Sequence, residues 1–97
     1  MTPTPEQIAA MAERGWTHEG VRFRASSSQA DRNGDYFIRL CVYLYDGHWF
    51  ASYGWTGVGF DGMDPHPDPL LAADEAEAWL RGVLAGLRFG WLEVRNA

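Results

Sequence analysis

The sequence predicts an α+β fold: an antiparallel sheet of three to four strands with a tight hairpin, packed with two helices. Three observations carry that expectation. Residues 36–55 alternate apolar and polar side chains on either side of Asp46-Gly47, a preferred pair for a two-residue turn. Residues 4–16 hold a helix start, an apolar stripe and a helix stop. A longer stripe at helical spacing runs to Phe89.

The first helix begins at Thr4. A threonine hydroxyl accepts from early helical N–H groups, Pro5 suits the first helical position, and Gln7 completes a capping box. Ile8, Met11 and Ala12 fall on one face. Gly15 supplies a left-handed stop, and Trp16 stands where it packs back onto Met11.

From Gly20 the period changes to two. Val21, Phe23 and Ala25 alternate with Arg22, Arg24 and Ser26, as in a strand with one wet face. Residues 26–35 read as a polar connection ending in Asn33-Gly34. The hairpin then sets its own register. A two-residue turn at Asp46-Gly47 opposes Tyr45 to His48, Leu44 to Trp49, Val42 to Ala51, Leu40 to Tyr53 and Ile38 to Trp55. One face collects Ile38, Leu40, Val42, Leu44, Trp49, Ala51, Tyr53 and Trp55, a core face. The other collects Phe37, Arg39, Cys41, Tyr43, Tyr45, His48, Phe50 and Ser52. Either that second face is an exposed aromatic patch, or the first helix covers it and the two helices sandwich the sheet.

Residues 56–68 read as one long Gly/Pro/Asp-rich loop. The second helix is capped either by Asp68, with Pro69 following, or by Asp74, with Glu77 completing a box. Ala76, Trp79, Leu80, Val83, Leu84 and Leu87 form its buried stripe. Asp74, Glu75 and Glu77 are expected at the positive end of its dipole and Arg88 near the negative end. Gly90-Trp91 repeats the Gly15-Trp16 stop, and residues 91–95 suit a short edge strand.

Length and composition bound the rest. Ninety-seven residues, 46% hydrophobic, make a single domain over residues 1–97 with a core that needs no staples. Cys41 is the only cysteine, which excludes an internal disulfide and fits a cytoplasmic setting. The N-terminal residues lack the cationic start and apolar run of a signal peptide, and no stretch has the length of a membrane span. Net charge is -5, and all eight basic residues are arginines. That sign opposes direct nucleic-acid binding and favours basic protein surfaces as partners.

Catalytic, cofactor and metal sites are not expected. Cys41, His18, His48 and His66 lack ligand spacing, and in the hairpin register Cys41 falls four residues from Tyr45, the partner of His48. That is roughly 13 Å at strand rise, too far for one zinc or for a thiol–imidazole pair. Asp61, Asp64 and Asp68 with His66 lack the spacing of a calcium loop. Residues 54–59 follow a strand but lead to no helix, so a phosphate there would meet no helix dipole. The aromatic face is the stronger signal. Tyr43, Tyr45, His48 and Phe50 are the expected centre of a protein contact, with Asp31, Asp35, Asp61, Asp64 and Asp68 as carboxylates that steer association.

A helix, a meander with a tight Asp-Gly hairpin, a capped second helix and an acidic balance in under 100 residues resemble small phage-encoded inhibitors of the anti-CRISPR type. The likeness spans the whole chain in size, charge and layout and involves no shared motif. It implies a non-enzymatic protein that occludes a CRISPR effector subunit, at a basic surface made for nucleic acid, in the host cytoplasm. The alternatives are a small ligand-binding module that stacks a sugar or base on the aromatic face, and a small enzyme working through the Asp61–Asp68 loop.

Overall fold

Asp46 and Gly47 both adopt positive φ, 50° and 76°, as a type I′ turn demands. The turn twists with its strands, and the expected register follows without a slip. In the computed structural model Tyr45 pairs with His48, Leu44 with Trp49, Val42 with Ala51, Leu40 with Tyr53 and Ile38 with Trp55. The structure describes the backbone of residues 2–31, 34–55 and 58–88, and the side chains of residues 2–25, 38–54 and 59–83. The proposed stop at Gly90-Trp91 and strand at residues 91–95 lie outside these, as do the side chains of Phe37, Trp55, Leu84 and Leu87.

The elements in order are α1 (Pro5–Glu13), β1 (Thr17–Glu19), β2 (Arg22–Asp31), β3 (Gly34–Tyr45), β4 (His48–Trp55), β5 (Val58–Asp61) and α2 (Pro69–Arg88). The strands form one antiparallel meander in chain order, so the sheet has five strands where the sequence suggests three or four. Residues 26–31 and 34–35 are ladder, not a loop. Each pairs across β2 and β3 from Ser26–Arg39 out to Asp31–Gly34. Backbone pairing started at Phe23–Val42 continues through these polar residues, because the ladder satisfies their N–H and C=O groups whatever the side chain. The long loop at residues 56–68 likewise contains β5, which pairs Asp61 with Ser52 and Gly59 with Gly54.

After β5 the chain stays beside β4. Gly62 donates its N–H to the Ala51 carbonyl at 2.7 Å, and His66 and Trp49 exchange both backbone hydrogen bonds. Residues 63–65 bulge outward between these contacts, with Met63 exposed. A Cβ on Gly62 would press on the Glu75 carboxylate and lie 3.0 Å from the Ala51 carbonyl oxygen.

Both helices pack on one face of the sheet. Met11 and Trp16 from the first helical segment meet Phe23, Ile38, Leu40, Val42, Trp49 and Ala51 from the strands and Ala72, Ala73 and Ala76 from α2 in a single buried cluster. The small alanines let α2 lie close on the sheet, while Trp79, Leu80 and Val83 of the expected stripe are half-buried around them. The sandwich alternative is therefore excluded for α1, which lies beside α2 and the β1 edge.

Thr4 caps α1 reciprocally. Its hydroxyl accepts from the Gln7 N–H at 3.1 Å, and Gln7 Oε1 accepts from the Thr4 N–H at 2.9 Å. At the other end Gly15 (φ 88°) turns the chain, Trp16 N–H reaches the Met11 carbonyl and Gly15 N–H the Ala12 carbonyl, both at 3.0 Å. This is the complete two-bond Schellman arrangement. For α2 the cap is Asp68, whose Oδ1 accepts from Leu71 N–H at 3.0 Å. Asp74, Glu75 and Glu77 thus sit beyond the first turn, where the helix dipole is weak. Their partners are side chains instead: Arg14 for Asp74 and Glu77, and His66 for Glu75.

Candidate binding face

Side chains opposite the core point outward from the strands, and antiparallel pairing arranges them in rows that cross the sheet. One row is Thr17, Arg24, Cys41, Ser52 and Asp61. Beside it on one side run Glu19, Arg22, Tyr43 and Phe50, and then Tyr45 with His48 at the hairpin end. On the other side run Arg39, Gly54 and Gly59. Among the described residues, neither helix covers these rows.

The aromatic part is ordered by its own contacts. Tyr43 and Phe50 stack with ring centroids 5.9 Å apart, and Tyr45 meets Phe50 edge-on at 6.4 Å. Tyr45 is 68% exposed. His48 is also exposed and donates from Nδ1 to the Asp46 carbonyl at 3.1 Å, which fastens it to the turn. The structure therefore brings Tyr43, Tyr45, His48 and Phe50 together as one patch.

It does not gather the five aspartates. Asp61 ends the middle row on β5, Asp64 lies in the exposed bulge, and Asp68 caps α2. Asp31 and Asp35 stand near the far end of the β2–β3 ladder, about as far from the hairpin turn as that ladder reaches, and their side chains lie outside the described residues. The sequence reading missed a different charge feature. Arg22, Arg24 and Arg39 share the outer face with the aromatic patch, so an acidic chain carries three of its eight arginines on this face. The alternation of Arg22 and Arg24 was a visible signal; their meeting with Arg39 needs the β2–β3 pairing.

Between the middle row and the Arg39–Gly54–Gly59 row runs a trough of about 560 Å³. Arg24, Cys41 and Ser52 line one side, Arg39, Gly54 and Gly59 the other, and Ala25, Leu40 and Tyr53, whose side chains turn into the core, meet it between the two rows. Glu19 and Arg24 form an ion pair at 3.0 Å near the β1 end.

Chemistry at Cys41 is disfavoured by its surroundings. Burial pushes the thiol up from its ordinary value, and the pull of Arg22 and Arg24 in the other direction is smaller. The thiol is therefore protonated at neutral pH and poorly nucleophilic. Cys41 and His48 stand four register positions apart. Among the described residues, no three His, Cys, Asp or Glu side chains gather as a metal site would require, and no helix is long and apolar enough to cross a membrane. No family model, curated protein or solved structure matches the chain.

Proposed function

We propose that this chain is a non-enzymatic, protein-binding inhibitor that covers its partner with the outer face of the sheet. The observation that carries this reading is the stacked Tyr43–Phe50–Tyr45 patch left open by two helices that both pack on the opposite face. Rings braced against each other lose little freedom on binding, and aromatic side chains with arginine neighbours make the energetic centres of protein contacts. Small size, net charge -5 and this layout fit the anti-CRISPR type, with a CRISPR effector subunit as partner. Asp61 and Asp64, exposed at the β5 edge, are the carboxylates that steer approach to a basic surface.

The test mixes the purified protein with purified CRISPR effector complexes and follows nucleic-acid cleavage and co-elution. Stoichiometric inhibition is expected, weakened at least about ten-fold by Tyr45→Ala or Phe50→Ala with melting temperature nearly unchanged. Inhibition untouched by both substitutions, or tight binding of the isolated protein to nucleic acid, removes this reading.

A further inference from the structure

The trough crosses all five strands, which at about 4.8 Å spacing gives it a length of roughly 19 Å. That is about six residues of extended chain. Glu19 lines it near one end and Arg24 and Arg39 line its middle, while Asp61 stands beside its other end as the last residue of the middle row. These two arginines hold diagonal positions on adjacent strands at the trough, since Arg24 pairs with Cys41 and Arg39 lies two residues before it. Such diagonal neighbours have Cα atoms roughly 7–8 Å apart, close enough for two long guanidinium side chains to hold one carboxylate. Arg24 already shares Glu19, whereas among the described residues no carboxylate pairs with Arg39. Ser52 offers a hydroxyl next along the row, and among the described residues no neighbour lies within 4 Å of where a Cβ on Gly59 would stand.

We infer that this trough receives an extended segment of the partner protein, with one acidic side chain seated between Arg24 and Arg39. The inference rests on the outer face being the partner contact. Charge order selects a peptide over a nucleic-acid strand. A phosphate backbone is anionic at every unit and would run over Glu19 and past Asp61, while a peptide needs only one carboxylate, at its centre.

The experiment needs no identified partner. A short capped peptide of Ser and Gly with one central Glu is titrated into the full chain at low salt and followed by backbone amide NMR shifts. The matching peptide with Gln and a short oligodeoxythymidylate serve as the other arms. Shifts are expected along residues 24, 39, 41, 52 and 59, with the Gln peptide about ten-fold weaker or more. Arg39→Gln should abolish the preference for Glu, while Arg81→Gln, the same charge change on the exposed side of α2, should keep it. Equal binding of the two peptides, no shifts in the trough, or stronger binding of the oligonucleotide there overturns the inference. Loss of partner inhibition in Tyr45→Ala, measured separately, tells whether the broader protein-binding reading survives such a result.

Discussion

The Trp16 indole donates from Nε1 to Oε1 of Glu77 at 3.1 Å, joining residues 61 apart in the chain. Arg14 donates to the same oxygen through Nε at 3.3 Å and to Oε2 through Nη2, and also holds Asp74 at 2.7 Å. Two side chains from the end of α1, Arg14 and Trp16, thus converge on one half-buried acid in the middle of α2. Helix 1 is short, and this junction with the Met11–Trp16 turn fixes it beside α2.

Removing that acid should loosen the junction. Glu77→Ala leaves the half-buried Trp16 N–H without its acceptor and the Arg14 guanidinium with only Asp74 and the Leu70 carbonyl, and an expected loss of about 1–3 kcal/mol follows. Urea unfolding measures it. A double-mutant cycle with Arg14→Ala should show coupling of at least about 0.5 kcal/mol, and strict additivity would mean the contact is idle.

The same residue should shape the acid limb of stability. Burial pushes the Glu77 carboxyl up, but hydrogen bonds from Arg14 and Trp16 and the Arg14 charge outweigh it, leaving the group below the ordinary glutamate value of 4.5. A folded-state value below the unfolded one means the unfolded chain takes up the proton first. The stabilisation is therefore complete above about pH 4.5 and is lost as pH falls through the lower folded value. Melting temperature against pH should fall less steeply in Glu77→Gln than in the native chain. Parallel curves would assign the acid limb to other groups.

Core truncations should rank by burial. Phe23 is fully buried between the His18 and Trp49 rings, at centroid distances of 5.3 and 5.8 Å. Phe23→Ala should cost about 3–5 kcal/mol and Leu40→Ala about 2–5 kcal/mol by chemical denaturation. A cost below 1 kcal/mol at Phe23 would contradict a core that includes β2.

Cys41 should behave as a protected thiol. Iodoacetamide is expected to label it slowly at neutral pH in the folded protein and at the rate of a free cysteine in urea. Labelling as fast before unfolding as after would mean the thiolate is stabilised and the arginines outweigh burial.

The hairpin was legible because two independent signals agreed: Asp46-Gly47 fixes the turn and the period-two pattern fixes which residues face inward. Capping gave the start of α1 and offered the right choice for α2 at Asp68. The edges were harder. Strand β1 has three exposed residues, and β5 carries Gly59 between Val58 and Phe60, so neither shows an alternation to read. Ser26-Ser27-Ser28-Gln29 has loop composition, and only the neighbouring strand makes it a ladder. Of the binding face, the aromatic patch followed from the hairpin register. The trough did not, because its walls need β2 and β5 placed beside that hairpin.

The stretch from Gly62 to His66 has a consequence for how this molecule meets copies of itself. An open sheet edge invites any extended chain to zip onto it, and the stretch of β4 beyond the end of β5 would be such an edge. Here His66 occupies the Trp49 backbone groups and Gly62 the Ala51 carbonyl. Pro65 and Pro67 on either side of His66 have no N–H to offer an incoming strand. On this side of the sheet, what remains for zippering is the four residues of β5, too little to template a growing stack. The β4–β5 side of the sheet is thereby guarded against fibril-like growth by the same short stretch that leads the chain into α2.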